Sequence, residues 1–369
     1  MKTALVLGAG FAGCTAACLL VKRGFAVTVL EAAADPGGGV WTRFYGGHPY
    51  TFGPRVFFSR DGEVIAHLTG LIAMRHFDTR TWTYVEPDGR MYHYPLQRAD
   101  LPLMPDCLQI MEELDARADR DTSAEDFEAY WLSAIGPTLY RKFVDGYSRK
   151  MWGVSSNRQL SASFEWVNRG TPIRDGDDRL YTDQFQGYPA DPRGFNSYFE
   201  KSLADCTVHL GCPVTGFDPE RRVARTARGD HTADVIVNSV HVDTLFGETF
   251  GKLQWCGRQF LPLWLPVEHA FPPDVTWIHY GGPEEHTRVT EFKQITGHQA
   301  SSTLLGVEIP APRGRYYPVQ SVAERARFEQ YGRLYPRDFW SIGRLGTFRY
   351  KGIPDAIRDA IDAVRAIVG

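Results

Sequence analysis

The stretch TALVLGAGFAGCTAACLLVKRGFAVTVLE, Thr3 to Glu31, constrains the fold more than any other part of the chain. Thr3 to Leu7 is a short apolar run of the kind found in strands buried on both faces. Gly8, Gly10 and Gly13 follow in GxGxxG spacing. Ala12 to Lys22 then carries helical periodicity, and Phe25 to Leu30 is a second apolar run ending on Glu31. Strand, glycine turn, helix and second strand make one βαβ unit. Gly8 permits a tight turn, Gly10 lets the backbone approach a pyrophosphate, and Gly13 lets helix and strand pack closely. The first helical turn, with Phe11 and Ala12, offers unpaired N–H groups to phosphates. Glu31 is placed to accept hydrogen bonds from a ribose. The competing reading is a glycine-rich turn beside an empty crevice.

A second glycine cluster follows in DPGGGVWTR, Asp35 to Arg43. Gly38 and Gly39 let the chain pass close to a ligand just after the acid-bearing strand. NAD-type domains do not usually need this cluster and FAD-type domains often do, so the sequence leans to an FAD-type Rossmann domain.

With 369 residues the chain has room for two or three domains, or one domain with large insertions. A hydrophobic content of 43% allows a sizeable core, and a formal net charge of -3 argues against nucleic-acid binding through bulk charge. The six cysteines form no CxxC pair or metal-type cluster, which suits a reduced, cytoplasmic setting. Cys14 and Cys18 read as small core residues. No secretory leader and no apolar stretch of membrane-spanning length is visible.

Residues from about Leu101 to Ser161 carry helical spacing. There Phe143, Tyr147, Met151 and Trp152 can be simple core, and Arg141, Lys142, Arg149 and Lys150 a solvated face. Arg169 to Phe195 has no clear period but joins arginines to aromatics, a composition suited to diphosphate or to a plain surface loop. TADVIVNSVH reads as a buried strand returning to the first domain. VTWIHYGG and TRVTEFKQIT read as antiparallel strands, with Arg288 and Thr290 on one face.

Taken in order, the GxGxxG turn, GYSRKMWG, RGTPIR, LYTDQFQGYP, TRVTEFK, YYPV and GRLGTFRY resemble the motifs of the UDP-galactopyranose mutase family, with gaps, from Lys2 to nearly the last residue. The resemblance implies an α/β fold: an FAD-type Rossmann dinucleotide-binding domain, an inserted helical domain and an antiparallel sheet substrate domain. It divides the chain into 1–75, 205–250 and 335–369 for the dinucleotide domain, 100–165 for the helical insertion, and 76–99, 166–204 and 251–334 for the substrate sheet. It implies an isomerase that interconverts pyranose and furanose forms of a nucleotide-diphosphate hexose by displacing the diphosphate, opening the ring and reclosing it. Reduced FAD is the implied cofactor and acts as a covalent catalyst.

Carried over by residue, Tyr147 and Trp152 resemble residues beside the nucleotide base. Arg169 resembles the first essential arginine, with Arg174 as competitor, and Arg288 the second, which clamps the diphosphate. Tyr181, Tyr317 and Tyr350 resemble the diphosphate tyrosines, and Tyr316 could take the place of Tyr317. Gly343 and Gly346 resemble the segment where the backbone passes the cofactor, with Arg344 beside it.

The sequence departs from the family on the flavin side. GPRVFFS, Gly53 to Ser59, holds Arg55 and Phe58 where the family has histidines. YPLQRADL lacks the family's asparagines, and Gly352 stands where the family has aspartate. These departures are similar to a divergent branch of antibiotic pathways that acts on GDP-hexoses. A route without flavin would call for a divalent metal, Mg or Mn, on the diphosphate. Asp175, Asp177, Asp178 and Asp183 cluster near the substrate loop, as solvated acids or as ligands. Arg55 would place a fixed charge beside the cofactor. A homodimer and a nucleotide-sugar substrate are expected. The competing functions are a degenerate nucleotide-sugar binder and a flavin oxidoreductase of amine-oxidase type.

Overall fold

The computed structural model describes residues 1–116, 124–161 and 173–369. Thr3–Leu7, Ala26–Leu30, Thr207–His209, Val235–Asn238 and Phe339–Ser341 form one five-stranded sheet, parallel at every pairing. Thr3–Leu7 is central, between Ala26–Leu30 and Val235–Asn238, and both its faces are covered: Ala4 and Val6 enter one apolar cluster, Leu5 and Leu7 another. That is why its side chains from Ala4 onward are all apolar and buried. Three distant stretches of chain supply this sheet.

The helix Phe11–Lys22 starts one residue earlier than its periodicity suggests. It packs between Ile353–Val368 and Asn196–Leu203, joining Phe11, Ala16 and Leu20 to Tyr198, Phe199, Ile357 and Ile361 in one core. Its small residues have a steric cause. A Cβ on Gly13 would overlap the Gly8 carbonyl oxygen, so only glycine fits there.

A seven-stranded sheet stands beside this layer, in the spatial order Tyr317–Pro318, Trp255–Leu265, Thr303–Ala311, Arg288–Glu291, Val275–Tyr280, Arg80–Val85, Arg90–Tyr94. It is antiparallel except between Val275–Tyr280 and Arg80–Val85, which run parallel. Against it lie the helices Cys107–Asp115, Phe127–Tyr140 and Gly146–Trp152. The second is broken at Gly136, whose left-handed φ of 79° precedes Pro137.

The expected solvated face of this helical region is only partly found. Arg141 and Arg149 are exposed. Lys142 is buried between Asp88 and Asp106, and Lys150 pairs with Glu284 at 3.1 Å. No helix among the described residues is long and apolar enough to cross a membrane.

Candidate active site

One cavity of about 1270 Å³ runs from the glycine turn to the large sheet. Single-ligand sites usually measure about 300–1,000 Å³, so there is room here for more than one bound molecule. At one end it is walled by Gly8, Gly10, Phe11, Ala12, Glu31, Gly38 and Gly39. A Cβ on Gly10 or Gly38 would meet nothing within 4 Å, so the backbone lies bare toward the open space. Glu31 accepts from the backbone N–H of Ala9 at 2.7 Å and of Ala33 at 2.8 Å. Those two bonds hold the carboxylate at the crevice edge.

At the other end stand Arg288, Tyr316, Tyr317, Arg344 and Tyr350. Arg288 lies on its strand directly opposite Glu308. Its Nε and Nη2 donate to the two Glu308 oxygens at 2.7 and 2.8 Å, a bidentate pair shielded from water. Gly53 passes over that carboxylate, where a Cβ would come to 3.0 Å of it. Arg288 also lies over the Trp277 ring, 5.7 Å from its centre.

Trp277 Nε1 donates to His279 Nε2 at 3.0 Å, so His279 must carry its proton on Nδ1. Burial, with Arg288 opposing charge on the ring, pushes His279 down to about 3, so it stays neutral. The Tyr94 and Tyr147 rings meet His279 edge-on, each at 5.2 Å.

Of Tyr316 and Tyr317, the alternatives in YYPV, Tyr317 is buried and stacks on Tyr350 at 5.6 Å, whereas Tyr316 lies exposed at the rim. Arg344 lies 4.8 Å from the Tyr317 ring centre and 4.9 Å from that of Tyr350. It donates to the carbonyls of Lys351 and Tyr316, which orients it. The buried Trp152 does not line the cavity but packs edge-on behind Tyr317 and Tyr350. Tyr147 and Gly13 also stand behind the wall.

Arg174 lines the cavity, with its guanidinium donating to the carbonyls of Arg179 and Leu180. Tyr181 also lines it, and Phe58 stacks on Tyr181 at 3.7 Å. Arg169 lies outside the described residues. Arg55 reaches the cavity between the two ends: its Nη2 donates to Phe52 at 2.6 Å, and its buried Nε has no partner.

The acidic loop is engaged elsewhere. Asp175 pairs with Arg98, Asp177 with Arg179 and Asp178 with Arg80. Among the described residues no group of three or more His, Cys, Asp or Glu is arranged to hold a metal ion. Glu308, Trp277, His279 and Arg258 were not picked out from the sequence. The one available signal was a lone glutamate inside the apolar run LLGVEIPA.

The family profile "UDP-galactopyranose mutase" matches residues 142–350, and "NAD(P)-binding Rossmann-like domain" matches residues 6–70. A dTDP-fucopyranose mutase of Escherichia coli is 24% identical, over 100% of this chain and 99% of its own length. A probable UDP-galactopyranose mutase of Klebsiella pneumoniae is 24% identical over 98% of this chain and 93% of its own. Among solved structures, a reduced UDP-galactopyranose mutase superposes with a TM-score of 0.85 at 17% identity, over 100% of this chain and 96% of that one. The first profile spans more than half of the chain, on the residues that build the diphosphate end of the cavity: the chain belongs to the UDP-galactopyranose mutase family.

Proposed function

We propose that this protein interconverts the pyranose and furanose forms of a nucleotide-diphosphate hexose. The observation that carries this reading is one continuous cavity with a dinucleotide turn at one end and an arginine–tyrosine cluster at the other. An oxidoreductase of the same fold would leave that cluster without a task, and a degenerate binder would have no need of the dinucleotide end.

The residues present fit FAD. The backbone is bare at Gly10 and Gly38, Glu31 stands where a ribose would lie, and Arg55 keeps an unpartnered Nε. Gly8, Gly10, Phe11, Ala12, Glu31, Gly38, Gly39, Arg55 and Arg344 would hold it. Bound in reduced form, it supplies the nucleophile for the anomeric carbon.

The chain's own residues do the rest. Arg288 and Arg344 stabilise the diphosphate as it leaves, while Glu308 fixes the Arg288 fork so that no reorganisation is needed. Tyr317 and Tyr350 supply hydroxyls to the same anion, and Trp152 locks their rings from behind. The neutral His279, with Nδ1–H, faces the nucleoside, and Tyr147 packs edge-on behind it. The family resemblance gives the sugar phosphate to Arg169 or Arg174, and of the two Arg174 is seen lining the cavity.

The relatives are named for dTDP- and UDP-sugars, and the resemblance adds GDP-sugars. The test is therefore a panel of UDP-, dTDP- and GDP-hexoses incubated with chemically reduced holoenzyme and resolved by chromatography. A furanose product from one of them is expected. Arg288→Ala should lower kcat by ~10²–10³-fold or more, as removal of one preorganised donor does elsewhere. Full turnover in that variant would remove Arg288 from the mechanism.

A further inference from the structure

Tyr317 sits where several elements converge on the cavity wall, almost wholly buried. Arg258, from the strand Trp255–Leu265, and Arg344, from the turn of helix Gly343–Thr347, each hold a guanidinium 4.8 Å from its ring centre. Arg55 and Arg288 add positive charge from two further directions, and Glu308 is the carboxylate that acts against them. The Tyr350 ring stacks on it, and Tyr147 stands across from Arg288 and Arg258.

Arg288 spends its charge on Glu308. The other three do not: Arg258 donates to Gly257 and Met151, Arg344 to Lys351 and Tyr316, and Arg55 to Phe52. Among the described residues none of these three forms an ion pair with a carboxylate. The Tyr317 hydroxyl, likewise among the described residues, has no hydrogen-bond partner. A surplus of half-buried positive charge thus surrounds a buried phenol that has no hydrogen-bond partner among the described residues. Burial and Glu308 favour its neutral form, but the arginines outweigh both and bring it down to about 7.

We propose that Tyr317 is the internal counter-anion of this site, a phenolate until a nucleoside diphosphate binds and a phenol, with one proton taken from solvent, afterwards. The proposal rests on the mutase reading in naming a diphosphate as the ligand. The diphosphate neutralises the same arginines, so the phenolate loses its support and its proton affinity rises. The neutral phenol then donates to the diphosphate instead of repelling it. Above neutrality, diphosphate affinity should fall toward a limit of about tenfold per pH unit, because each binding event must supply a proton.

The experiment is a near-ultraviolet tyrosinate titration of the holoenzyme, read as the difference between wild type and Tyr317→Phe at equal flavin content. One tyrosinate that forms near pH 7 in wild type and is missing in Tyr317→Phe is expected. Saturating UDP or GDP at pH 8 should abolish the signal, and inorganic pyrophosphate serves as a base-independent probe. No tyrosinate below pH 9 would overturn the proposal, and so would a tyrosinate that persists with diphosphate bound. Should only pyrophosphate erase the signal, the internal anion stands and the nucleotide-sugar reading fails. Should Tyr317→Phe not fold, Arg344→Gln replaces it, with the titration expected to move to higher pH.

Discussion

At the scale of single residues, the Arg288–Glu308 pair is the site's most exposed liability. Both side chains are shielded from water and each satisfies the other. Removing one partner of such a pair leaves a buried charge alone, at a cost of about 3–5 kcal/mol. Glu308→Ala should therefore lower the melting temperature strongly, and saturating UDP or GDP should recover part of the loss by giving Arg288 a new anion. A variant as stable as wild type would mean that Arg288 turns to solvent once freed.

The histidines give a second expectation. Burial holds His67 at about 4 and His241 and His279 at about 3. All three lie below their unfolded value near 6.5, so between these limits the unfolded chain binds more protons than the folded one. Stability should rise with pH across that window and drain away as pH falls from about 6.5 toward 4. Melting temperature against pH reads this directly, and His67→Gln should flatten the upper part of the slope.

Among the elements, the helix Gly146–Trp152 carries the most meaning per residue. A Cβ on Gly146 would run into the Gly281 carbonyl oxygen, so glycine at that position lets the helix lie against the segment that follows His279. Gly146→Ala should push the helix back, unseat Tyr147 and Trp152, and destabilise by about 1–3 kcal/mol. It should also weaken nucleotide binding, and wild-type affinity in the variant would separate this helix from the site.

Such local jobs are what the sequence makes legible. Gly8, Gly10, Gly13 and Glu31 act within one βαβ unit, and the spacing alone defines their tasks. Glu308 and His279 were illegible because their meaning comes from pairing across strands. His279 and Glu308 both stand opposite Arg288, one on each neighbouring strand. Only the register of three strands reveals that triplet. Lys142 looked like a surface charge for a related reason, since Asp88 approaches its helical segment from the turn between Arg80–Val85 and Arg90–Tyr94.

Viewed as a whole molecule, the cavity lies between the parallel sheet and the large mixed sheet, so a ligand that fills it braces both. Releasing the flavin should lower the melting temperature. Re-adding it at about a hundred times its dissociation constant should return about 2.7 kcal/mol. An unchanged transition after flavin release would show that the two layers hold together without it.

The parallel sheet also has a bearing on how the protein is made. Its first strands and the helix Phe11–Lys22 emerge from the ribosome long before Phe339–Ser341 and Ile353–Val368, which complete the sheet edge and cover that helix. Until then Ala16, Leu20 and their neighbours lack the cover of that last helix, and only Asn196–Leu203 can pack on the other side. A finished dinucleotide end thus waits until Ile353–Val368 has emerged, and the nascent chain is a natural client for chaperones that shelter apolar helices.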